Sequence, residues 1–243
     1  TTEGAHSATL ATDRGEGTIN AEAAKLTTSG EGSPVIYSTG NIMVNNVNGV
    51  ANNSEIGVVE GKNSITLTNS NVTGYKDNGF MLYQSFSGDA ENGIARLKAE
   101  NNTLTTHATG AFLYVNNTTA EVDLSNNAIS MPNTSTLVKA AADSRWGKTG
   151  ENGGHLTLRT SNQELSGNIM ADSISTIALD MTNGSSLVGA INTDNAAKEV
   201  TVKLSKDSNW ILTGDSYVKS LTNEDTTNSN IHLNGYKLVV TDK

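Results

Sequence analysis

Two stretches of this 243-residue chain concentrate side chains able to grip or act on another molecule. The first, 84–93 (QSFSGDAENG), carries Phe86, Asp89 and Glu91. The second, 140–154 (AAADSRWGKTGENGG), carries Asp143, Arg145, Trp146, Lys148 and Glu151. Two chemistries use such residues. Carboxyl groups converging across a cleft can protonate a leaving group and activate water at a glycosidic bond. Aromatic faces flanked by carboxylates, amides and a guanidinium can instead hold a sugar without cleaving it.

Elsewhere the chemistry thins out. Asp123 and Asp180 are lone acids in strand-like segments. His6, His107, His155 and His232 share no metal-ligand spacing. Gly147-Lys148-Thr149 lacks the first glycine of a phosphate loop, six residues before the lysine, where Ala142 stands. Thr213-Gly214-Asp215-Ser216 has turn composition, with no His or acid placed to activate the serine. Cysteine is absent, which excludes disulfides and thiolate-bound zinc. Asp- and Asn-rich loops offer oxygen ligands for a structural Ca²⁺, yet no EF-hand or nonapeptide pattern occurs; no other cofactor is expected. Net charge is −9, and the 16 basic residues are scattered, so neither nucleic acid nor an anionic membrane is an expected partner. No apolar run reaches the length of a membrane span.

The elements that must position these residues are short strands. Asn, Thr, Ser and Gly dominate the polar fraction and weaken helix interiors. Apolar residues alternate with polar ones in a repeating frame, with anchors at Ile19, Ile42, Ile65, Leu97, Val122, Leu158, Leu179, Val202 and Ile231. The gaps are 23, 23, 32, 25, 36, 21, 23 and 29 residues. A second apolar position follows seven residues on at Leu26, Val72, Leu104, Ile129, Leu165 and Leu238, and eight on at Val50, Leu187 and Trp210. A third cluster follows in the first five repeats, at Val35-Ile36, Val58-Val59, Met81-Leu82, Phe112-Leu113 and Leu137-Val138. A fixed repeat with two or three strands per turn predicts a solenoid.

Four residues after the anchor stand Asn46, Asn69, Asn101, Asn126, Asn162 and Asn183, in six successive repeats. Asn tolerates the left-handed backbone of a tight turn. Stacked amides at one corner can also hydrogen-bond as a ladder. With these positions the chain resembles right-handed parallel β-helices of the pectate-lyase-like superfold, and the passengers of bacterial autotransporters and similar surface adhesins. The resemblance covers roughly 8–240 and rests on the periodicity and the asparagines. It implies an all-β, single-stranded right-handed parallel β-helix of about nine rungs, one domain over 1–243, and an extracellular or bacterial cell-surface location. At ~4.8 Å per rung the rod would be near 43 Å long. The chain opens at Thr1, which reads as a fragment or mature form whose neighbouring domains continue the same chain.

The two long gaps place both inserts just after the third strand, on one side of the rod and two rungs apart. Beside them the third strands predict an outward file of Tyr37, Glu60, Tyr83, Tyr114 and Lys139, flanked by Phe86 and Trp146. That file reads as a platform for glycan or a host or cell-surface protein, with Asp89 and Arg145 at its edge. A stabilising aromatic stack would use the same residues. The resemblance also implies what an enzyme of this fold carries: an Asp cluster on adjacent strands with Ca²⁺ or water and a basic residue. Strand positions here are mostly Thr, Ser and Asn. The expectation is therefore a non-catalytic adhesin-like or passenger-like segment, with a polysaccharide lyase or glycosidase as the alternative.

Overall fold

The computed structural model describes residues 1–14 and 17–242. It is a parallel β-solenoid of about ten turns. Every strand pair is parallel, and each strand bonds to its equivalent one turn away. Three faces result. The first is a continuous nine-stranded sheet from Thr18–Glu22 to Ser220–Asn223. The second holds a five-stranded sheet over the early turns and a four-stranded sheet over the later ones. The third is a seven-stranded sheet from Leu10–Ala11 to Ile169–Ala171, with Ser216–Val218 and Leu238–Val240 paired beyond it.

Alternation explains the core. Within Asn41–Asn45, Ile42 and Val44 point inward, and Ile65 and Leu67 stack on them in Ser64–Thr68. The inward column runs Ile19, Ile42, Ile65, Leu97, Val122, Leu158, Leu179, Val202. Its ninth member is Leu221, not Ile231. Ile231 lies on the second face, paired with Trp210. The last turn is thus a short 19 residues from Val202 to Leu221, carried by the polar strand Ser220–Asn223 whose alternation is faint.

The second-face column also departs from expectation. Leu26 pairs with Gly49 and Gly49 with Val72, so Val50 faces outward beside Thr27 and Thr73. A Cβ at Gly49 would lie 3.0 Å from both Val35 Cγ1 and Val72 Cγ1, so larger neighbours fill the slot that glycine leaves. Leu238 belongs to the third face, opposite Ser216.

Asn46, Asn69, Asn101, Asn126, Asn162 and Asn183 all have φ between 48° and 58°, the left-handed turn region. Their amides are exposed and join only in part: Asn126 Nδ2 donates to Asn101 Oδ1 at 2.7 Å, and Asn69 Nδ2 to Asn45 Oδ1 at 2.8 Å. The buried ladder lies one residue on. Val47 N–H donates to Ser70 Oγ (3.0 Å), Ser70 N–H to Asn102 Oδ1 (2.9 Å), and Asn102 N–H to Asn127 Oδ1 (3.1 Å). Asn127 N–H then donates to Gln163 Oε1 at 2.9 Å. These side chains satisfy backbone donors that the corner would otherwise bury unpaired.

Candidate functional site

Both inserts leave the third face at one corner. Strand Phe80–Tyr83 is followed by a loop up to Ile94, and strand Thr136–Ala140 by one up to Gly154. The turn between them ties them together. Asn117 Nδ2 donates to Gln84 O at 2.8 Å, and Asn117 N–H to Asn152 O at 3.1 Å. Asn152 Nδ2 in turn donates to Asp143 O and Trp146 O, at 2.8 and 2.7 Å. Gly147 sits at φ 75°, and a Cβ there would meet Asn117 Oδ1 at 2.2 Å. Only glycine lets the second loop close this tightly.

The expected single file splits in two. Tyr37, Val58, Met81, Tyr114 and Lys139 form one outward file. Glu60, Tyr83 and Asn116 form another, two residues along the strands. The third strands pair two residues out of the assumed frame: Tyr37 lies opposite Val58 and Ser38 opposite Val59, so Glu60 falls two positions beyond Tyr37. Neither file is an open platform. Tyr83 and Tyr114 are each 8% exposed and Glu60 is 2% exposed, because the loops fold over them. Trp146 packs on Tyr83, ring centroids 5.4 Å apart, and on Phe86 at 6.2 Å.

Glu60 organises this layer. Its carboxylate accepts hydrogen bonds from Tyr37 Oη, Tyr83 Oη (3.3 Å), Ser85 Oγ and Ser87 Oγ (3.2 Å). The Tyr37 and Tyr83 hydroxyls lie 2.9 Å apart. Burial, together with the neighbouring carboxylate and phenol, raises the Tyr37 phenol well above its ordinary range. Burial first, and then the Glu60 charge, raises Tyr83 likewise. Burial and the nearby Asp143 push Tyr114 up to about 12. All three phenols stay protonated and can only donate to these carboxylates. Lys139 is exposed, its Nζ 5.7 Å from the Tyr114 ring centroid.

The loop acids do not converge. Glu91 pairs with Lys62, Asp143 with Arg145 at 3.6 Å, and Glu151 with Lys148. Among the described residues nothing donates to the Asp89 carboxyl; its N–H donates to Ser87 Oγ at 3.1 Å. Asp143 Oδ1 accepts from the N–H groups of Arg145 and Trp146, at 2.7 and 3.1 Å, and so shapes its own loop. Asp123 is paired with Arg159 at 3.4 Å on the first face. Among the described residues no three His, Asp or Glu side chains come together to hold a metal ion. His107 stacks on Tyr75 at 4.5 Å, and His155 Nδ1 lies 3.1 Å from Thr176 Oγ1.

A groove of about 550 Å³ opens beside the loops, over the early turns of the third face. Tyr37, Val58, Met81 and Tyr83 form its floor, and Trp146 and Arg145 one wall. The opposite side adds Glu55, Asp77, Asn78 and His6. The sequence marks Tyr37, Tyr83, Arg145 and Trp146 on this side, but Val58 and Met81 fall in its third apolar cluster and these opposite four are not marked at all. They come from three separate turns and share no motif. Glu55 is 8% exposed and accepts from Ser54 Oγ at 2.7 Å. Burial, with a smaller contribution from Asp77, raises its carboxyl above the usual range.

No protein-family model, curated protein or solved structure matches the chain.

Proposed function

We propose that the chain is a non-catalytic, adhesin-like or passenger-like β-solenoid of the extracellular space or bacterial cell surface, and that its loop-side groove binds glycan on a host or neighbouring cell. The observation that carries this reading is the groove itself. Three aromatic rings, Tyr37, Tyr83 and Trp146, line it with Met81, while Glu55, Asp77, Asn78 and Arg145 offer hydrogen bonds around them. Its volume lies within the range common for small-ligand sites. Aromatic faces take the apolar faces of a sugar ring, and forked or paired polar groups take its hydroxyls. The buried Glu60 network fixes the Tyr37 and Tyr83 rings in advance, which lowers the entropy cost of binding.

A glycan array followed by fluorescence titration tests this. The two tryptophans report separately, because Trp210 is fully buried in the solenoid interior, with Nε1 donating to Gly189 O at 3.0 Å. Bound glycan should change Trp146 emission and leave Trp210 unchanged. Trp146→Ala and Arg145→Ala should each weaken binding by about tenfold, equivalent to about 1.4 kcal/mol, with the thermal midpoint nearly constant. Equal binding by wild type and both variants would remove the groove from the proposal.

One observation favours a second reading, a polysaccharide lyase or glycosidase of the same fold. Glu55, held toward its protonated form, shares the groove with Asp77. A carboxyl held toward its acid form beside a second carboxyl is the pairing a glycosidase uses. Release of reducing ends from an array-positive glycan, abolished by Glu55→Gln, would favour it.

A further inference from the structure

The charges around the loop-side groove do not balance. Arg145 on its wall is paired with Asp143 at 3.6 Å, and Lys76, next to Asp77, with Glu31 at 3.3 Å. That leaves Glu55 and Asp77 in the lining, and Glu60 beneath the Tyr37 and Tyr83 hydroxyls. Among the described residues none of these acids pairs with a lysine, arginine or histidine, His6 of the same lining included. A cleft lined by surplus charge of one sign concentrates ligands of the other.

Glu55 is the deeper of the two lining acids. It is 8% exposed, and Ser54 Oγ, 2.7 Å from Oε2, is the one hydrogen-bond donor on its carboxyl among the described residues. Oε1 is left unpartnered on a residue that lines the groove. Burial disfavours a bare negative charge at this depth, and a positive group beside it would offset that cost. Asp77 is exposed and adds a second carboxyl.

Tyr37 and Tyr83 both donate their hydroxyls to the Glu60 carboxylate. A phenol that shares its proton with a carboxylate holds more electron density in its ring, and an electron-rich ring attracts a cation more strongly. Trp146, of the residue type that binds cations best, packs on Tyr83 at 5.4 Å. Burial first, then Glu60 and last Glu55 raise the Tyr83 phenol, which puts the acids and the rings in one electrostatic neighbourhood.

A ligand that uses all of these groups must both carry positive charge and donate hydrogen bonds. A quaternary ammonium meets the rings but donates nothing to Glu55 or Asp77. The primary ammonium of a sugar does both, and the sugar ring offers its C–H faces to aromatic side chains. We propose that the glycan taken by this groove is cationic, an amino sugar with its amine free, the ammonium toward Glu55 and Asp77 and the ring against Tyr83 and Trp146. This rests on the glycan reading above and adds a charge to it.

The probes are a tetrasaccharide of β-1,4-linked glucosamine and its fully N-acetylated counterpart, each titrated against the whole chain by Trp146 emission below the pKa of the amines. The two share a backbone and differ in charge. The cationic form should bind at least about tenfold more tightly. Asp77→Asn keeps a residue type suited to the left-handed φ of 65°, and Glu55→Gln keeps the shape of the buried side chain. Each should weaken the cationic form by about fivefold and leave the acetylated form within about twofold. Together they should erase the preference. Asp180→Asn, on the first face, removes the same charge away from the groove and should change neither affinity. Equal or tighter binding of the acetylated form overturns the cationic assignment and leaves the glycan reading standing. A preference that survives the double variant also overturns it, as does tetralysine matching the affinity and the Trp146 response. Binding of neither tetrasaccharide overturns it as well, while the glycan array decides the broader reading separately.

Discussion

Glu60 holds a carboxylate under the loops, where among the described residues it forms no ion pair and only hydroxyl groups donate to it. Such a group is tolerated only while those donors stay in place. Glu60→Ala leaves them unpaired and should cost about 2–3 kcal/mol in urea unfolding. It should also strip exchange protection from the amides of Ser87 and Asp89, whose N–H groups bond within the serine cluster. Glu60→Gln keeps an acceptor and should cost less. Glu55 behaves in the opposite sense. Burial raises its folded pKa, so the folded chain holds this proton more tightly than the unfolded chain does. The resulting stability is present below the ordinary glutamate range and is lost as pH rises through the folded value. Glu55→Gln should therefore stabilise the chain at pH 7 and change little at pH 4, as thermal melts at the two pH values would show.

At the scale of the element, the corner between the first and second faces divides its work between adjacent residues. Asn126 supplies a left-handed backbone at φ 53°, and Asn127 supplies buried hydrogen bonds to Asn102, Gln163 and Ala99 O. Asn126→Ala should cost about 1 kcal/mol, the strain of that backbone for a residue with Cβ, and Asn126→Gly should be close to neutral. Asn127→Ala should cost about 2–3 kcal/mol, because it orphans a buried N–H of Asn102. Chemical denaturation of the three variants checks the order. The contrast also explains what sequence could reveal. A backbone conformation few residues accept leaves one residue type at one phase, and the six asparagines were visible for that reason. A hydrogen-bonding task that Ser70, Asn102, Asn127 and Gln163 can all perform leaves a mixed column with no visible period. Gly49 hid its slot in a similar way, by filling it with space for Val35 and Val72.

At the scale of the molecule, the first face was legible because its inward residues are aliphatic on nearly every turn. The third face was not, since both of its sides are covered, and Gly57–Glu60, Phe80–Tyr83 and Ala111–Asn116 are buried at every position. With no polar side to mark alternation, register slipped and two files were read as one. The groove assembled from His6, Glu55, Asp77 and Asn78 was beyond sequence for a related reason. Its members meet through stacking of turns, which places residues 20 to 30 apart side by side without any local pattern.

The interrupted second face gives the rod a property that its continuous faces lack. A beam cut on one side yields more readily toward and away from the cut than across it. With two faces bonded through and the third open between Ala128–Ser130 and Glu164–Ser166, the halves on either side of the gap can flex about the intact faces. The angle between the loop-bearing early turns and the later turns would then vary about that gap.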